Sequence, residues 1–246
     1  MSVTVLKLGG SVITNKDRAD TLDGETLGHV ADAISDAAVH DLVLVHGGGS
    51  FGHHHANEHN VSKTTGSRDI EAVIDIHGAM KTLNEFVLSR LHDRGISAVP
   101  VHPFSVAVRD ADASLTLPTG QIETMLDEGF VPVLHGDVVA HEGEGVTVVS
   151  GDELVVSVAS HLDADRVGFC STVPGVLDEA DEVIPEITTY ESVADVLGES
   201  ESTDVTGGMA GKVRSLLELG APASIFGPDD VSAFLADENP GTRIHG

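Results

Sequence analysis

The segment from Asp41 to His53 reads DLVLVHGGGSFGH, and it decides the predicted fold. Its first part, Asp41–Val45, is a short apolar run, which is typical of a strand buried on both faces. Three consecutive glycines, Gly47–Gly49, follow after one histidine. Glycine loses more conformational entropy on folding than any other residue, so this run is unfavourable unless the backbone must approach a ligand closely. The segment therefore predicts a buried strand that ends in an anion-binding loop.

Two other segments repeat this pattern of a strand followed by glycine. The run Val3–Leu8 ends at Gly9-Gly10, and the run Phe130–Leu134 ends at His135-Gly136-Asp137. A long helical pattern over Asp69–Leu91, with apolar residues on one stripe, lies between them. Ligands of parallel sheets bind beyond the carboxyl ends of the strands. We therefore expect the three glycine clusters to meet at one rim of the sheet.

Strands and helices also alternate along the rest of the chain. Further helices are predicted over 26–39, 121–128, 151–162 and 212–219. Further strands are predicted over 98–101, 166–170 and 223–226, with a hairpin over 138–149 and a strand followed by a helix within 184–197. This alternation predicts an α/β fold, a three-layer αβα sandwich with a mainly parallel central sheet.

The composition is strongly acidic. Forty Asp and Glu residues face 13 Lys and Arg, for a formal net charge of −27. Such a surface repels nucleic acids and anionic membranes, so neither is expected as a partner. Acidic, lysine-poor chains are typical of a high-salt cytoplasm, where molar salt shortens the Debye length to about 3 Å. A lysine kept in such a chain is expected to have a function, and the lysines are Lys7, Lys16, Lys63, Lys81 and Lys212.

The cysteine content and the N-terminal segment indicate a cytoplasmic protein. The single cysteine, Cys170, excludes an internal disulfide framework and a multi-cysteine zinc site. No run of about 18 apolar residues predicts a membrane span. The N-terminal residues MSVTVLKLGGS contain no basic leader followed by an apolar stretch, so we expect a cytoplasmic location.

Lys7 lies within an otherwise apolar strand. Strand geometry directs its side chain to the face opposite Leu6 and Leu8. A buried ammonium group is unfavourable unless an anion pairs with it, so Lys7 beside Gly9-Gly10 predicts a contact with phosphate. The alternative is a tight turn from which the lysine side chain simply extends to solvent.

Histidines follow the central glycine loop. His53, His54 and His55 are consecutive, and His59 follows four residues later. The spacing of His55 and His59 can place two imidazoles on one helix face around a metal ion. The alternative is a solvated surface, and we assign a ligand-binding role to His53 alone.

The same loop also matches the pattern G-x-G-x-x-G at Gly47, Gly49 and Gly52. This match offers a dinucleotide-binding alternative, with Asp69 or Glu71 as the acid that binds the ribose. The match is weak because it follows the second predicted strand rather than the first.

Two later segments carry charged residues next to glycine. Asp152, in Ser150-Gly151-Asp152, could orient lysines in a phosphate site, and the alternative is a helix N-cap. The loop before Lys212 is one residue too short for a Walker loop, and Val213 replaces the hydroxyl residue that would contact Mg²⁺. A glycine loop with a lysine at a helix start still predicts a phosphate site. The alternative is a flexible loop.

These clusters, in this order, resemble the amino acid kinase superfamily over nearly the whole chain. The matching strings are KLGGS (7–11), HGGGSFGH (46–53), SGD (150–152), STVPGV (171–176) and TGGMAGKV (206–213). The string HGGGSFGH is similar to the isopentenyl phosphate kinases in particular. The resemblance implies the amino acid kinase fold as a single domain over 1–246, with an acceptor-substrate lobe over approximately 1–163 and a nucleotide lobe over approximately 164–246.

The resemblance implies an enzyme that converts isopentenyl phosphate and ATP into isopentenyl diphosphate and ADP in archaeal isoprenoid biosynthesis. It implies a homodimer, and Mg²⁺ carried by ATP with no direct protein ligand. One alternative is a sister kinase that acts on another small phosphate or on a carboxylate. The other is a nucleotide-binding protein without catalytic activity.

The resemblance also implies roles for individual residues. Lys7 and Lys212 would bind the ATP phosphates, and Lys16 would stabilise the transition state. Asp152 would keep the lysines aligned, and His53 would hold the acceptor phosphate. The implied ATP-binding residues are Lys7, Gly9, Gly10, Ser11, Gly49, Asp152, Thr172, Gly175, Gly207 and Lys212. The implied substrate-binding residues are Gly48, Gly52, His53 and Gly136.

A prenyl acceptor also requires an apolar pocket for its tail. We expect Ile76, Met80 and Leu83 to form one wall of this pocket, with Phe104 opposite.

Overall fold

The computed structural model describes residues 2–37, 39–197 and 208–245. The strands are β1 (Thr4–Leu8), β2 (Leu42–His46), β3 (Ala98–Val101), β4 (Val108–Arg109), β5 (Leu115–Thr116), β6 (Val131–His135), β7 (Asp137–His141), β8 (Gly145–Val149), β9 (Arg166–Cys170), β10 (Glu186–Ile187), β11 (Ala223–Phe226) and β12 (Thr242–Ile244). The helices are α1 (Gly10–Ile13), α2 (Gly24–Ala37), α3 (Gly49–Glu58), α4 (Ile70–His92), α5 (Pro103–Val106), α6 (Gly120–Asp127), α7 (Gly151–His161), α8 (Ala194–Leu197), α9 (Gly208–Leu219) and α10 (Val231–Leu235).

A mainly parallel sheet runs through the centre of the molecule. In the described part of the chain its strand order is β10-β12-β11-β9-β1-β2-β6-β3. All neighbouring pairs are parallel except β11 with β12. The pairing of β1 with β9 crosses the predicted boundary at 163/164, so one sheet joins the two predicted lobes. A smaller sheet, in the order β5-β4-β7-β8, contains the predicted hairpin as β7 and β8.

Helices cover both faces of the central sheet, which confirms the three-layer sandwich. On β2, Val43 and Val45 belong to the core under α6, α7 and α9. The intervening Leu42 and Leu44 belong to the opposite core, under α2, α4 and α10. Because alternate strand residues point to opposite faces, a strand that is apolar at every position fits only between two layers.

The predicted strands over 98–101, 166–170 and 223–226 are confirmed at both ends by β3, β9 and β11. The region 184–197 differs, because only the two residues of β10 pair as a strand and a 3₁₀ turn precedes the short helix α8. In the part of the chain that the structure describes, no helix is long and apolar enough to cross a membrane.

The three glycine clusters meet at one rim, as predicted. Neighbouring strands are joined there by three backbone hydrogen bonds of 2.9 Å, from Gly9 N to Cys170 O, from Gly47 N to Leu8 O, and from Gly136 N to His46 O. A Cβ on Gly47 would lie 2.7 Å from the Gly10 nitrogen. Only glycine permits this approach between the first two loops.

Candidate active site

A cavity of about 550 Å³ opens at the carboxyl ends of β1, β2 and β6. It brings together most of the residues that the sequence predicted for the site. Those that line it are Lys7, Gly9, Gly10, Ser11, Lys16, Gly48, Gly49, Gly52, His53, Gly136, Asp152 and Lys212. Thr172 and Gly175 are not among the lining residues. Gly207 lies outside the described residues.

Lys7 forms the floor of the cavity. It is 6% exposed, and its Nζ lies 2.9 Å from Asp152 Oδ1. The same ammonium group lies 5.4 Å from the centre of the Phe169 ring. This burial and pairing contradict the alternative of a lysine that simply extends to solvent. The lysine places a fixed positive charge where the glycine loops converge.

Asp152 pairs with Lys7 from the first turn of α7. Burial opposes its ionisation, but the positive charges of Lys7, Lys212 and Lys63 lower the pKa of its carboxyl below the usual value. Asp152 therefore stays ionised and holds the ammonium group of Lys7 in place.

The alternative that Asp152 is the helix N-cap is wrong. Ser150 is the N-cap, and its side chain accepts a hydrogen bond of 3.2 Å from Glu153 N. The Glu153 carboxylate in turn accepts one of 3.1 Å from Ser150 N. This capping box satisfies the helix end and leaves the Asp152 carboxylate available to the cavity.

The central glycine loop turns directly into helix α3. Gly48 is its N-cap, and Gly49 adopts a φ of +49°. A Cβ on Gly49 would overlap Thr14 Oγ1, which accepts a hydrogen bond of 3.0 Å from Ser50 N. Amide groups at a helix N-terminus favour bound anions, and this one opens into the cavity.

His53 lies on α3, half-buried at the cavity wall. The neighbouring histidines have other partners. His55 Nε2 lies 3.2 Å from an oxygen of Asp20, and His59 Nε2 lies 2.9 Å from one of Asp75. The alternative of a metal between His55 and His59 is therefore not supported.

Two further lysines, Lys16 and Lys212, also line the cavity. Lys16 is exposed on the segment after α1. Lys212 lies in the second turn of α9, which begins at Gly208 rather than at the lysine as predicted. Both line the same cavity as the glycine loops.

The predicted wall for an apolar tail is partly present. Ile76 and Met80 of α4 line the cavity, together with Val148. Leu83 is instead fully buried in the core beneath α4. Phe104 packs on the ring of His77, with ring centres 5.1 Å apart, and does not reach the cavity.

The sequence reasoning missed a network of buried histidines behind the glycine loops. His46 and His135 are 1% and 0% exposed. Burial lowers the pKa of His46 to about 4 and that of His135 well below its usual value, so both rings are neutral. Nearby, burial raises the pKa of Asp137, although a hydrogen bond from His77 Nδ1 acts to lower it. One feature of the sequence could have indicated this network. The same dipeptide, His-Gly, follows two of the predicted apolar strands, as His46-Gly47 and His135-Gly136.

Comparisons with known proteins identify the class. The model of the amino acid kinase family matches residues 2–222, and the chain belongs to this family. Over 247 residues it is 62% identical to isopentenyl phosphate kinase from Haloferax volcanii, with all of both chains covered. It is 34% identical to isopentenyl phosphate kinase from Methanothermobacter thermautotrophicus, with 98% of each chain covered. The predicted resemblance to isopentenyl phosphate kinases is thus confirmed.

Solved structures support the same assignment. A crystal structure of isopentenyl phosphate kinase superposes with a TM-score of 0.84 at 30% identity, covering 98% of this chain and 99% of the other. The product complex of the T. acidophilum enzyme, at 23% identity and a TM-score of 0.79, shares the fold. This kinship rules out the dinucleotide-binding alternative. Asp69, its suggested ribose acid, is the N-cap of α4 and accepts a hydrogen bond from Glu71 N.

Proposed function

We propose that the protein transfers the γ-phosphoryl group of ATP to isopentenyl phosphate, giving isopentenyl diphosphate and ADP. The observation that carries this proposal is the cavity itself. A buried ammonium group, Lys7, lies at its floor, two glycine loops and a helix N-terminus line it, and His53 stands at its wall. Phosphoryl transfer between two anions requires this combination of positive charge and backbone donors.

The acceptor needs no general base. A phosphate monoester has a second pKa near 6, so at neutral pH it is mainly a dianion and already nucleophilic. The protein must therefore bring two anions together in line and reduce their repulsion. His53 is a hydrogen-bond donor that positions the acceptor phosphate rather than a group that removes a proton.

The cationic residues divide this task. We assign Lys7 and Lys212 to the phosphates of ATP, and Lys16 to the charge on the phosphoryl group in transfer. Asp152 keeps Lys7 in its position through the 2.9 Å ion pair. The Gly48 and Gly49 amides serve the acceptor and donor phosphates at the start of α3.

Asp152 and Asp137, the two less exposed carboxylates that line the cavity, already have partners. Asp152 pairs with Lys7, and Asp137 accepts hydrogen bonds from His77 Nδ1 and Val138 N. This arrangement supports Mg²⁺ held by the ATP phosphates rather than by the protein. Bound in that way, Mg²⁺ would neutralise part of the phosphate charge.

The acceptor tail would lie against Ile76, Met80 and Val148, which supply apolar surface next to the phosphate loop. We also propose that Thr172, Gly175 and Gly207 contribute to the nucleotide side, as the family resemblance implies. Thr172 and Gly175 do not line the phosphate cavity, which suits contacts with the sugar and base of ATP better than with its phosphates.

We further propose a cytoplasmic homodimer that works at high salt. The acidic, lysine-poor composition supports the high-salt setting. Exposed Ile70 and Ile74 on α4 offer apolar surface for a second copy. Light scattering in molar KCl would measure the mass, and a monomer at all concentrations would contradict the dimer.

The direct test is a coupled assay of ADP release by the purified protein in roughly molar KCl. Isopentenyl phosphate and N-acetylglutamate are compared as acceptors, because acetylglutamate kinases are 26–27% identical to this chain. Turnover is expected with isopentenyl phosphate only. His53→Ala should reduce it by about 10²–10³, the usual effect of removing one such donor.

His59→Ala is the matched control, since this histidine pairs with Asp75 at the far end of α3. It should leave turnover within about twofold of wild type, as expected for a surface substitution outside the cavity. Turnover of N-acetylglutamate, or of neither acceptor, would contradict the proposed reaction.

A further inference from the structure

Two buried histidines end neighbouring strands at the same level. His46 closes β2 and His135 closes β6, and the two residues are partners in the register of the sheet. Their rings stack with centres 5.5 Å apart. Neither residue is among those that line the cavity, but the glycine that follows each of them is.

Each histidine ring is hydrogen-bonded to the carbonyl group of the next residue. His46 Nδ1 lies 3.1 Å from Gly47 O, and His135 Nδ1 lies 2.9 Å from Gly136 O. A carbonyl oxygen can only accept, so each of these two bonds requires the proton of the neutral ring on Nδ1. The two strand ends therefore share the same hydrogen bond, from a histidine ring to the carbonyl group of the next residue.

The backbone nitrogen of each of these glycines also donates a hydrogen bond. Gly47 N donates to Leu8 O, and Gly136 N donates to His46 O, both at 2.9 Å. His46 thus takes part twice, with its ring on Gly47 and its backbone carbonyl on Gly136. With both of its peptide groups bonded, neither glycine can rotate freely despite its wide conformational range.

This arrangement determines where the next amide points. The C=O and N–H groups of one planar trans peptide point in opposite directions. The Gly47 carbonyl is turned toward the His46 ring, so the Gly48 N–H is turned away from it. The Gly48 nitrogen is 3.7 Å from where a Cβ on Gly136 would lie. Gly48 and Gly136 both line the cavity.

A second layer of side chains holds the two rings from behind. His102 Nδ1 donates a hydrogen bond of 2.8 Å to His135 Nε2. The Oδ1 atom of the buried Asn84 lies 3.1 Å from His46 Nε2. Asn84 Nδ2 has no hydrogen-bond partner among the described residues. Since His46 Nε2 carries no proton in this tautomer, a half-turn of the amide lets Nδ2 donate to it. Each ring is then bonded at both nitrogens.

We propose that His46 and His135 are positioning residues of the phosphate site, which turn the Gly47 and Gly136 peptides so that the Gly48 amide faces the acceptor phosphate. Neither ring touches the substrate. The identity of the acceptor rests on the proposed function, but the orientation of the Gly48 amide toward phosphate does not.

Paired substitutions separate this role from simple packing. Asn can present an NH2 group near the position of Nδ1, whereas Gln presents it near Nε2. His46→Asn can therefore keep the bond to Gly47 O, and His46→Gln can keep only the bond to Asn84. His46→Gln should lower kcat/KM for isopentenyl phosphate by about 10²-fold, the effect of a misplaced catalytic contact, and His46→Asn should restore most of it. The same order is expected for His135→Asn and His135→Gln.

His92→Leu is the control for a lost ring-to-carbonyl bond away from the cavity. Its Nε2 lies 2.7 Å from Ala98 O, at the opposite end of the sheet. This variant should lower the melting temperature without changing KM for the acceptor. Equal losses of kcat/KM in His46→Asn and His46→Gln would overturn the proposal, because both variants remove the same imidazole packing.

An NMR experiment tests the proposal without turnover. The ¹⁵N shifts of His46 and His135 should show a protonated Nδ1, and a protonated Nε2 would overturn the proposal. Titration with inorganic phosphate should shift the Gly48 amide signal in wild type and His46→Asn but not in His46→Gln. If the wild type responds to phosphate but does not phosphorylate isopentenyl phosphate, the proposed function fails while the positioning role stands. A Gly48 signal that phosphate leaves unmoved in wild type would overturn the role itself.

Discussion

The inner wall and the mouth of the cavity are built differently. The inner wall consists of backbone held by neighbouring strands, together with the buried Lys7–Asp152 pair. The mouth carries Lys16, exposed on its segment, and the half-buried His53. The inner wall is thus fixed by folding, whereas the mouth residues remain free to adjust to the ligand. Changes to the inner wall should therefore affect stability and catalysis together, and changes at the mouth should affect catalysis alone.

The largest effect is expected from Gly10→Ala. A Cβ at this position would overlap backbone atoms of Gly49, which cannot move aside as a flexible side chain could. We expect turnover to fall by more than about 10³-fold, since the phosphate loops would be displaced from each other. Turnover and thermal unfolding of the purified variant would be measured together.

Gly78→Ala serves as the matched control for that substitution. Gly78 lies within α4, and a Cβ there meets nothing within 4 Å. Alanine should increase the free energy of unfolding by about 0.4–1 kcal/mol and leave turnover unchanged. Normal activity in Gly10→Ala would show that the rim is not fixed by the backbone.

The two lysines provide the most direct comparison of wall and mouth. Lys7→Met and Lys16→Met should each lower turnover by about 10³-fold, as for loss of one cation in phosphoryl transfer. Only Lys7→Met removes the 2.9 Å ion pair of the largely buried Asp152 carboxylate. It should therefore also lower the free energy of unfolding by about 3–5 kcal/mol. Assays of turnover and chemical denaturation measure the two effects.

Lys81→Met is the control, because this lysine is exposed on α4 and does not line the cavity. Its turnover and its stability should both remain close to those of wild type. An equal loss of stability in Lys7→Met and Lys16→Met would remove the distinction between wall and mouth.

A smaller effect on the free energy of unfolding is expected when the pH is lowered, through the buried histidines behind the inner wall. Burial lowers the pKa of His46 to about 4, so below about pH 6.5 the unfolded chain binds a proton that the folded chain does not. The free energy of unfolding should fall as the pH falls from about 6.5 to 4, by about 3 kcal/mol for this residue. His135 and His102, whose pKa values burial also lowers, act in the same direction. Asp137, whose pKa burial raises, acts in the opposite direction.

Denaturation at a series of pH values would measure this dependence in wild type and in His46→Asn. The asparagine does not titrate, so the slope between pH 6.5 and 4 should be shallower in the variant. Equal slopes would mean that His46 does not contribute to the acid sensitivity of the fold.

The sequence predicts the sheet well because its strands are short apolar runs with clear ends. It also predicts the rim, since parallel strands that end in glycine must bring those glycines together. Helix α3 was not predicted, because the segment GSFGHHHANE contains two glycines and three histidines. A contact distant in sequence, the bond from Ser50 N to Thr14 Oγ1, supports its first turn.

The residues behind the site were harder to predict for the same reason. His46 is bonded to Asn84, 38 residues away, and His135 is bonded to His102, 33 residues away. No local pattern marks such partners. The cap of α7 shows a different limit, because Ser150 and Asp152 are both good capping residues and the sequence does not decide between them.

The close approach of the glycine loops has a consequence for how the protein can change. At Gly10 and Gly47 any other side chain would meet backbone, so these positions offer almost no room for variation. Ile76 and Met80 line the same cavity with buried side chains, and the Met80 side chain lies close to Gly48 and Gly52. A library randomised at these two positions should therefore yield variants that accept different prenyl tails and still transfer phosphate. The proposed tail wall can thus vary by substitution of side chains, whereas the glycine loops cannot.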